Sequence, residues 1–135
     1  MAAKALIERD ETVCADASNF AGLFYEAMDR KRERIGHLYS DDTPQLVWNG
    51  NFVGGHEQVC KFIEMLPVTD HSVQSVDAHR LPSITECAHL PQGILITVAG
   101  SVIVGVKPHA FIQNFVLKSE DGKFKIKSDR FRYVD

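Results

Sequence analysis

The residues able to do chemistry in this chain are few in kind and scattered in position. Six histidines (His37, His56, His71, His79, His89, His109) and three cysteines (Cys14, Cys60, Cys87) supply the metal-ligating and nucleophilic types. Compact zinc motifs bring such residues within a few positions of one another, and the chain is read as lacking one, so no metal is expected. An odd number of widely spaced cysteines without a Cys-x-x-Cys pair also gives no disulfide framework. Cys60 lies between Val59 and Phe62 near the apolar side of a predicted helix, without an evident base, where a thiol packs as a small hydrophobe. For acid–base work the candidates are Tyr25, which from an apolar cavity could donate to an enolate, and Asp41 or Asp42, which once desolvated could shuttle a proton. Packing accounts for Tyr25, which borders an apolar helical stripe, and Asp41-Asp42-Thr43-Pro44 has the composition of a turn. His79 and His109 fall near strand ends, where a titrating imidazole can tune binding. No catalytic residue and no cofactor are expected.

These groups sit in a chain of 135 residues, 44% hydrophobic and 24% charged, with a net charge of -3. That composition predicts one globular domain over 1–135, with its core at about 10–134, and excludes a disordered or low-complexity chain. A pI near 6.0 argues against direct nucleic-acid binding, which asks for a clustered basic surface. No segment has the apolar length of a membrane span, and residues 1–10 hold no apolar block of signal-peptide length, so an intracellular protein is expected.

Periodicity supplies the elements. Val13, Ala17, Phe20, Ala21, Phe24 and Met28 recur at the spacing that lines one helix face, which predicts a helix over 12–28. The charged run 29–34 is read as the solvated face of a second short helix ending near Ser40, with Ile35, Leu38 and Tyr39 inward. A strand over 44–48 and its return over 51–53 flank Asn49-Gly50, a strong hairpin signal. A third helix runs from His56 to a stop at Pro67. Four strands follow over 72–80, 93–106, 109–119 and 123–133, separated by the turn formers of 82–92, by Lys107-Pro108 and by Glu120-Asp121-Gly122. Helices first and a meander afterwards predict an α+β fold, with three helices on one face of a strongly curved antiparallel sheet.

The strand 93–106 is apolar or small at nearly every position, although alternate side chains must point to opposite faces. In 109–119, Phe111, Phe115 and Leu117 share one parity while Ile112 and Val116 take the other. Three helices cover one face. Unless the sheet curls into a closed barrel, the second face needs a partner, because each exposed aliphatic side chain forgoes about 1.5–3 kcal/mol of burial. In the last strand Phe124 and Ile126 are expected inside and Lys125, Lys127 and Asp129 outside, with a parity switch near Ser128 that signals a bulge. Beyond it Arg130-Phe131-Arg132-Tyr133 collects the residue types enriched in interfaces.

The order of elements, together with Leu46-Val47-Trp48-Asn49-Gly50-Asn51, Glu64-Met65-Leu66-Pro67, Gly100-Ser101-Val102, Gln113-Asn114-Phe115, Lys125-Ile126, Ser128-Asp129 and Phe131-Arg132, resembles the nuclear transport factor 2 family over nearly the whole chain. The branch it resembles most acts in mRNA export. The resemblance implies a cone-shaped fold and a heterodimer in which the open sheet face packs on a similar domain of the large mRNA export receptor, the complex then engaging nucleoporin phenylalanine-glycine repeats while shuttling between nucleus and cytoplasm. It aligns Arg132 with an arginine that pairs with an acidic partner residue and places Gln113, Phe115 and Phe131 in the matching sheet motifs. Arg130, Tyr133 and Trp48 complete the expected interface. Two other members of the same fold are weaker fits. The Ran-GDP import carrier has acidic residues where this chain reads Val104-Gly105-Val106-Lys107-Pro108-His109, and the isomerases and dehydratases need an acid–base cluster in the cone.

Overall fold

The computed structural model describes residues 2–81 and 93–135, with side chains from residue 12 onward. The predicted turn-rich stretch 82–92, with Cys87 and His89, lies outside the described residues. Helix α1 runs Ala2–Arg30, well past the predicted start, and every member of the predicted stripe from Val13 to Met28 is buried. A 3-10 helix follows at Arg32–Leu38 and buries Ile35, and α2 at His56–Met65 buries Val59 and Ile63.

The strands are β1 (Gln45–Trp48), β2 (Asn51–Gly54), β3 (Thr69–Arg80), β4 (Gly93–Val104), β5 (Lys107–Glu120) and β6 (Lys123–Tyr133). They form one open sheet in the order β2-β1-β6-β5-β4-β3. The expected all-antiparallel sheet is corrected at one place, where β1 pairs parallel with β6. A parallel pair needs a long crossover, and here everything between the β1–β2 hairpin and β6 supplies it. Asn49 and Gly50 both have positive φ (47° and 87°), the backbone of the predicted two-residue hairpin. The β4–β5 turn falls at Gly105-Val106 rather than at Lys107-Pro108. Pro108 instead lies within β5 opposite Ile103, beyond the end of β6, where its missing N–H interrupts no second ladder.

Two bulges shape the sheet. In β3 the register skips Gln74, next to the place where Val73 faces Gly100. A Cβ on Gly100 would stand 2.2 Å from the carbonyl oxygen of Ser72, so only glycine fits under that bend. In β6 the register skips Lys127, since Val116 pairs with Ser128 while Leu117 pairs with Ile126. The predicted parity switch is therefore real.

The charged run 29–34 is more than a solvated face. The Asp29 carboxylate accepts from the Thr69 hydroxyl (2.8 Å), the His71 backbone N–H (2.9 Å) and the His71 ring (Nδ1, 2.7 Å), tying α1 to β3. Burial pushes its pKa up, but the His71 bonds outweigh that and hold it below the usual carboxylate value. Arg32 donates to the carbonyls of Met28 (3.1 Å), Leu66 and Pro67 (2.9 Å) and to the Thr69 hydroxyl (3.1 Å). One guanidinium thus satisfies chain-end carbonyls of both long helices, groups that otherwise have no helical partner.

Candidate partner-binding face and the buried polar network

Alternation divides the long strands into two sets. Toward the helices point Ile94, Ile96, Val98 and Val102 of β4, Phe111, Gln113, Phe115 and Leu117 of β5, and Ile126, Asp129 and Phe131 of β6, all buried. Rings from α1 close over them: Phe24 meets Phe115 edge-on with centroids 4.7 Å apart, and Phe20 does so at 5.8 Å. On β1, Trp48 stacks on Phe131 at 3.9 Å.

Within this apolar filling runs a line of polar groups. The Tyr25 hydroxyl donates to Gln113 Oε1 (2.8 Å), Gln113 Nε2 donates to Asp129 Oδ1 (2.8 Å), and the Tyr39 hydroxyl donates to Asp129 Oδ2 (2.6 Å). Asp129, expected on the exposed side, is 1% exposed, because the bulge at Lys127 carries it to the inner parity. Desolvation raises its pKa from 3.8 to about 6, with the two donated bonds holding it back from rising further. Burial, then the nearby Asp129, push both tyrosine hydroxyls well above their ordinary value. The arrangement resembles an acid–base cluster in composition. Its members are bonded to one another: among the described residues no buried side-chain nitrogen or oxygen lacks a hydrogen-bond partner. Asp41 and Asp42, the other acid–base candidates, are exposed at the turn before β1 and lie outside this circuit.

A second grouping escaped the sequence reading. His56 and Cys60 stand four residues apart on α2, bringing Nδ1 to 3.8 Å from Sγ, while Nε2 lies 2.8 Å from the carbonyl of Gly36 and 3.6 Å from Asp41. Cys60 therefore does have a base beside it, and the i,i+4 spacing was the available signal. Burial, then Glu64 and Asp41, raise the thiol pKa, the opposite of what a thiolate nucleophile needs. Among the described residues no three of His, Cys, Asp and Glu converge as a metal would require.

The outer face is different. Its middle is formed by Val47, Leu95, Ala99, Ile112 and Val116 with Thr97 and Asn114, which bond across β4 and β5 (2.8 Å). Phe52 on β2 and Ile103 at the β4–β5 end are exposed on the same side, and β3 contributes the polar border Asp70, Ser72, Ser75, Asp77 and His79. Arg130 lies beside Asn114 and Arg132 beside Ile112, both exposed and neither held by a carboxylate among the described residues. They rim a hollow of about 330 Å³ whose walls include Val47, Ile112 and Asn114. Among the described residues no helix covers this side, and the sheet is open, with β2 and β3 at its edges.

The seven interface candidates are thus split between the faces. Arg130 and Arg132 reach the outer one. Trp48, Gln113, Phe115 and Phe131 do not: all four are buried beneath the helices, which corrects their assignment to a partner-contacting surface. The reason is the pleat, since after the bulge the odd-numbered residues of β6 and their cross-strand partners point inward. Tyr133 takes that inner parity too, half-buried at the rim and stacked on His109 with centroids 3.8 Å apart. The outer-face residues absent from those seven are Phe52, Leu95 and Ile112, which no motif marks, although the parity of β5 already set Ile112 apart from Phe111 and Phe115.

The family model described as the nuclear transport factor 2 (NTF2) domain matches residues 17–133. A Caenorhabditis elegans protein named NTF2-related export protein is 46% identical over 129 residues, which is 95% of this chain and 93% of that protein. Among solved structures, nuclear transport factor 2 of Cryptosporidium parvum superposes with a TM-score of 0.73 at 22% identity, covering 93% of this chain and 94% of that one. A chain of the Candida albicans Mtr2–Mex67 M domain complex does so with a TM-score of 0.65 at 14% identity, covering 87% of this chain and 93% of that one.

Proposed function

Because the chain belongs to the nuclear transport factor 2 family, we propose that it is a non-catalytic small subunit of an mRNA export receptor, whose outer sheet face packs on the related domain of a larger partner. The observation that carries this reading is the outer face, left uncovered by the described residues: aliphatic at its middle, polar at its border, and bearing two arginines without an acidic partner among those residues. An apolar centre with a polar rim is the anatomy of a stable interface, and Arg supplies a fork of donors suited to a buried carboxylate. The relatives' names point to export, and a neighbour of the same fold was solved in a complex of Mtr2 with Mex67. In this reading the complex, not the chain alone, engages phenylalanine-glycine repeats of the pore and shuttles between nucleus and cytoplasm. The cone interior supports a role without catalysis, since its Tyr25–Gln113–Asp129–Tyr39 circuit is internally satisfied and packed among aromatic rings.

Co-expression with the related domain of a large export receptor is expected to give a one-to-one complex. Arg132→Ala should weaken it by about 2–5 kcal/mol, largely through the partner charge left buried and unpaired. A soluble monomer without affinity for that domain overturns the reading, and an unchanged dissociation constant for the variant removes Arg132 from the interface.

A further inference from the structure

Leu23 breaks the pattern of α1. The helix buries Phe20, Phe24 and Ala27 around it yet leaves Leu23 59% exposed. Beside it runs a groove between α1, the 3-10 helix and the start of β6, made of two adjoining hollows of about 220 and 400 Å³ that share Leu23, His37 and Leu38. Buried Ala27 and Phe20 form its floor and half-buried Phe124 its far end.

The rim is cationic, with Lys31 and Arg34 at one end and Lys123 and Lys125 at the other. The carboxylates there are Asp16 and Glu26, and Glu26 already lies 3.5 Å from the Lys31 ammonium. Lys125 is engaged by the carbonyl of His37, whereas Arg34 and Lys123 have no side-chain partner among the described residues. In a chain whose net charge is -3 this local surplus of positive charge is not background. A phosphate-rich ligand would use the cations and leave the apolar floor empty, and a purely apolar one would leave the cations idle. An acidic peptide with a bulky side chain uses both.

We propose that this groove docks a short acidic segment of a partner protein, with an aromatic or large aliphatic side chain entering the Leu23–Leu38–Phe124 hollow and flanking carboxylates meeting Arg34 and Lys123. The groove lies on the helical side, away from the outer sheet face, so the two surfaces can be occupied together and this inference does not rest on the subunit reading.

The test titrates the full chain, alone or in its sheet-face complex, with labelled synthetic peptides: one with two phenylalanines among glutamates, its glutamine isostere, and its serine-for-phenylalanine version. The acidic aromatic peptide is expected to bind, with each altered peptide weaker by roughly tenfold or more. Leu23→Asp, an exposed position, should abolish binding, and Arg34→Glu with Lys123→Glu should weaken it by roughly tenfold and remove most of its salt dependence. Amide shifts on binding should centre on Leu23, Leu38 and Phe124, and affinity for the sheet-face partner should not change. Equal binding of the glutamine isostere, indifference to Leu23→Asp, tighter binding of an RNA oligonucleotide, or a folded chain that binds none of the peptides overturns the proposal.

Discussion

The inner and outer faces of the sheet are built by the same long strands, yet they treat polar side chains in opposite ways. Inside, Gln113, Asp129, Thr69 and His71 each find a bonded partner, and the hydroxyls of Tyr25 and Tyr39 complete the set. Outside, Thr97 bonds to Asn114, while Arg130 and Arg132 stand exposed beside uncovered Ile112. A buried group left unpaired costs about 1–3 kcal/mol, and an exposed one is served by water. The inner face is therefore under pressure to be complete within the chain. The outer face is under none until something covers it. Completeness marks a core; unpaired donors around aliphatic side chains are what the proposed subunit contact would use.

Substitutions on the two faces should separate accordingly. Phe115→Ala removes a fully buried ring in contact with Phe20, Phe24 and Tyr25, and is expected to cost about 3–5 kcal/mol in urea unfolding, whether or not a partner is present. A loss below 1 kcal/mol would mean that the cone interior is loosely packed.

The next effect concerns Asp129. Its folded pKa of about 6 lies above the unfolded value of 3.8, so the native state holds the extra proton between them. The contribution of Asp129 is then most favourable below about pH 4 and is lost as the pH rises through about 6, a swing on the order of 3 kcal/mol. Asp29 has the opposite sign, because its pKa is lowered and its contribution fades as the pH falls. Asp129→Asn should remove the first trend and leave the second. The stability of the variant relative to the parent should therefore improve from pH 4 to pH 7, and parallel pH profiles would show that Asp129 does not titrate as its burial implies.

The smallest effect is expected outside. Ile112→Ser, at a position 38% exposed, should change the stability of the isolated chain by no more than about 0.5 kcal/mol while weakening the sheet-face complex. If it destabilised the lone chain as much as an inner substitution, the contrast between the faces would fail.

Much of this was legible in the sequence. The stripe from Val13 to Met28, the Asn49-Gly50 hairpin and the strand 123–133 follow from period and turn chemistry, which act over a few residues. The direction of β1 relative to β6 was not legible, because it depends on partners some eighty positions apart. The residues of the proposed partner face were half legible. Two-sided hydrophobicity in β4 pointed to an uncovered face, but conspicuous residues such as Phe131 and Trp48 drew the assignment to themselves, and they proved to be core. Aromatic side chains are enriched in interiors and interfaces alike, and only the pleat register tells the two apart. Asp129 shows the same limit. A bulge was readable near Ser128, yet its offset had to be known to the residue before the carboxylate could be placed indoors.

That single offset decides which side chains the second half of β6 sends to each side of the sheet. Lys127 is the residue the ladder steps over, so Ile126 and Ser128 already alternate as direct neighbours would, and removing Lys127 would straighten the strand without exchanging its faces. Regular pairing of Lys127 within the full-length strand would instead turn Arg130 and Arg132 into the aromatic interior, and Asp129 and Phe131 out to solvent. The hydrophobic interior and the arginine-bearing surface thus hang on one stepped-over residue, and closing the bulge with that residue still in the strand would damage both in the same event.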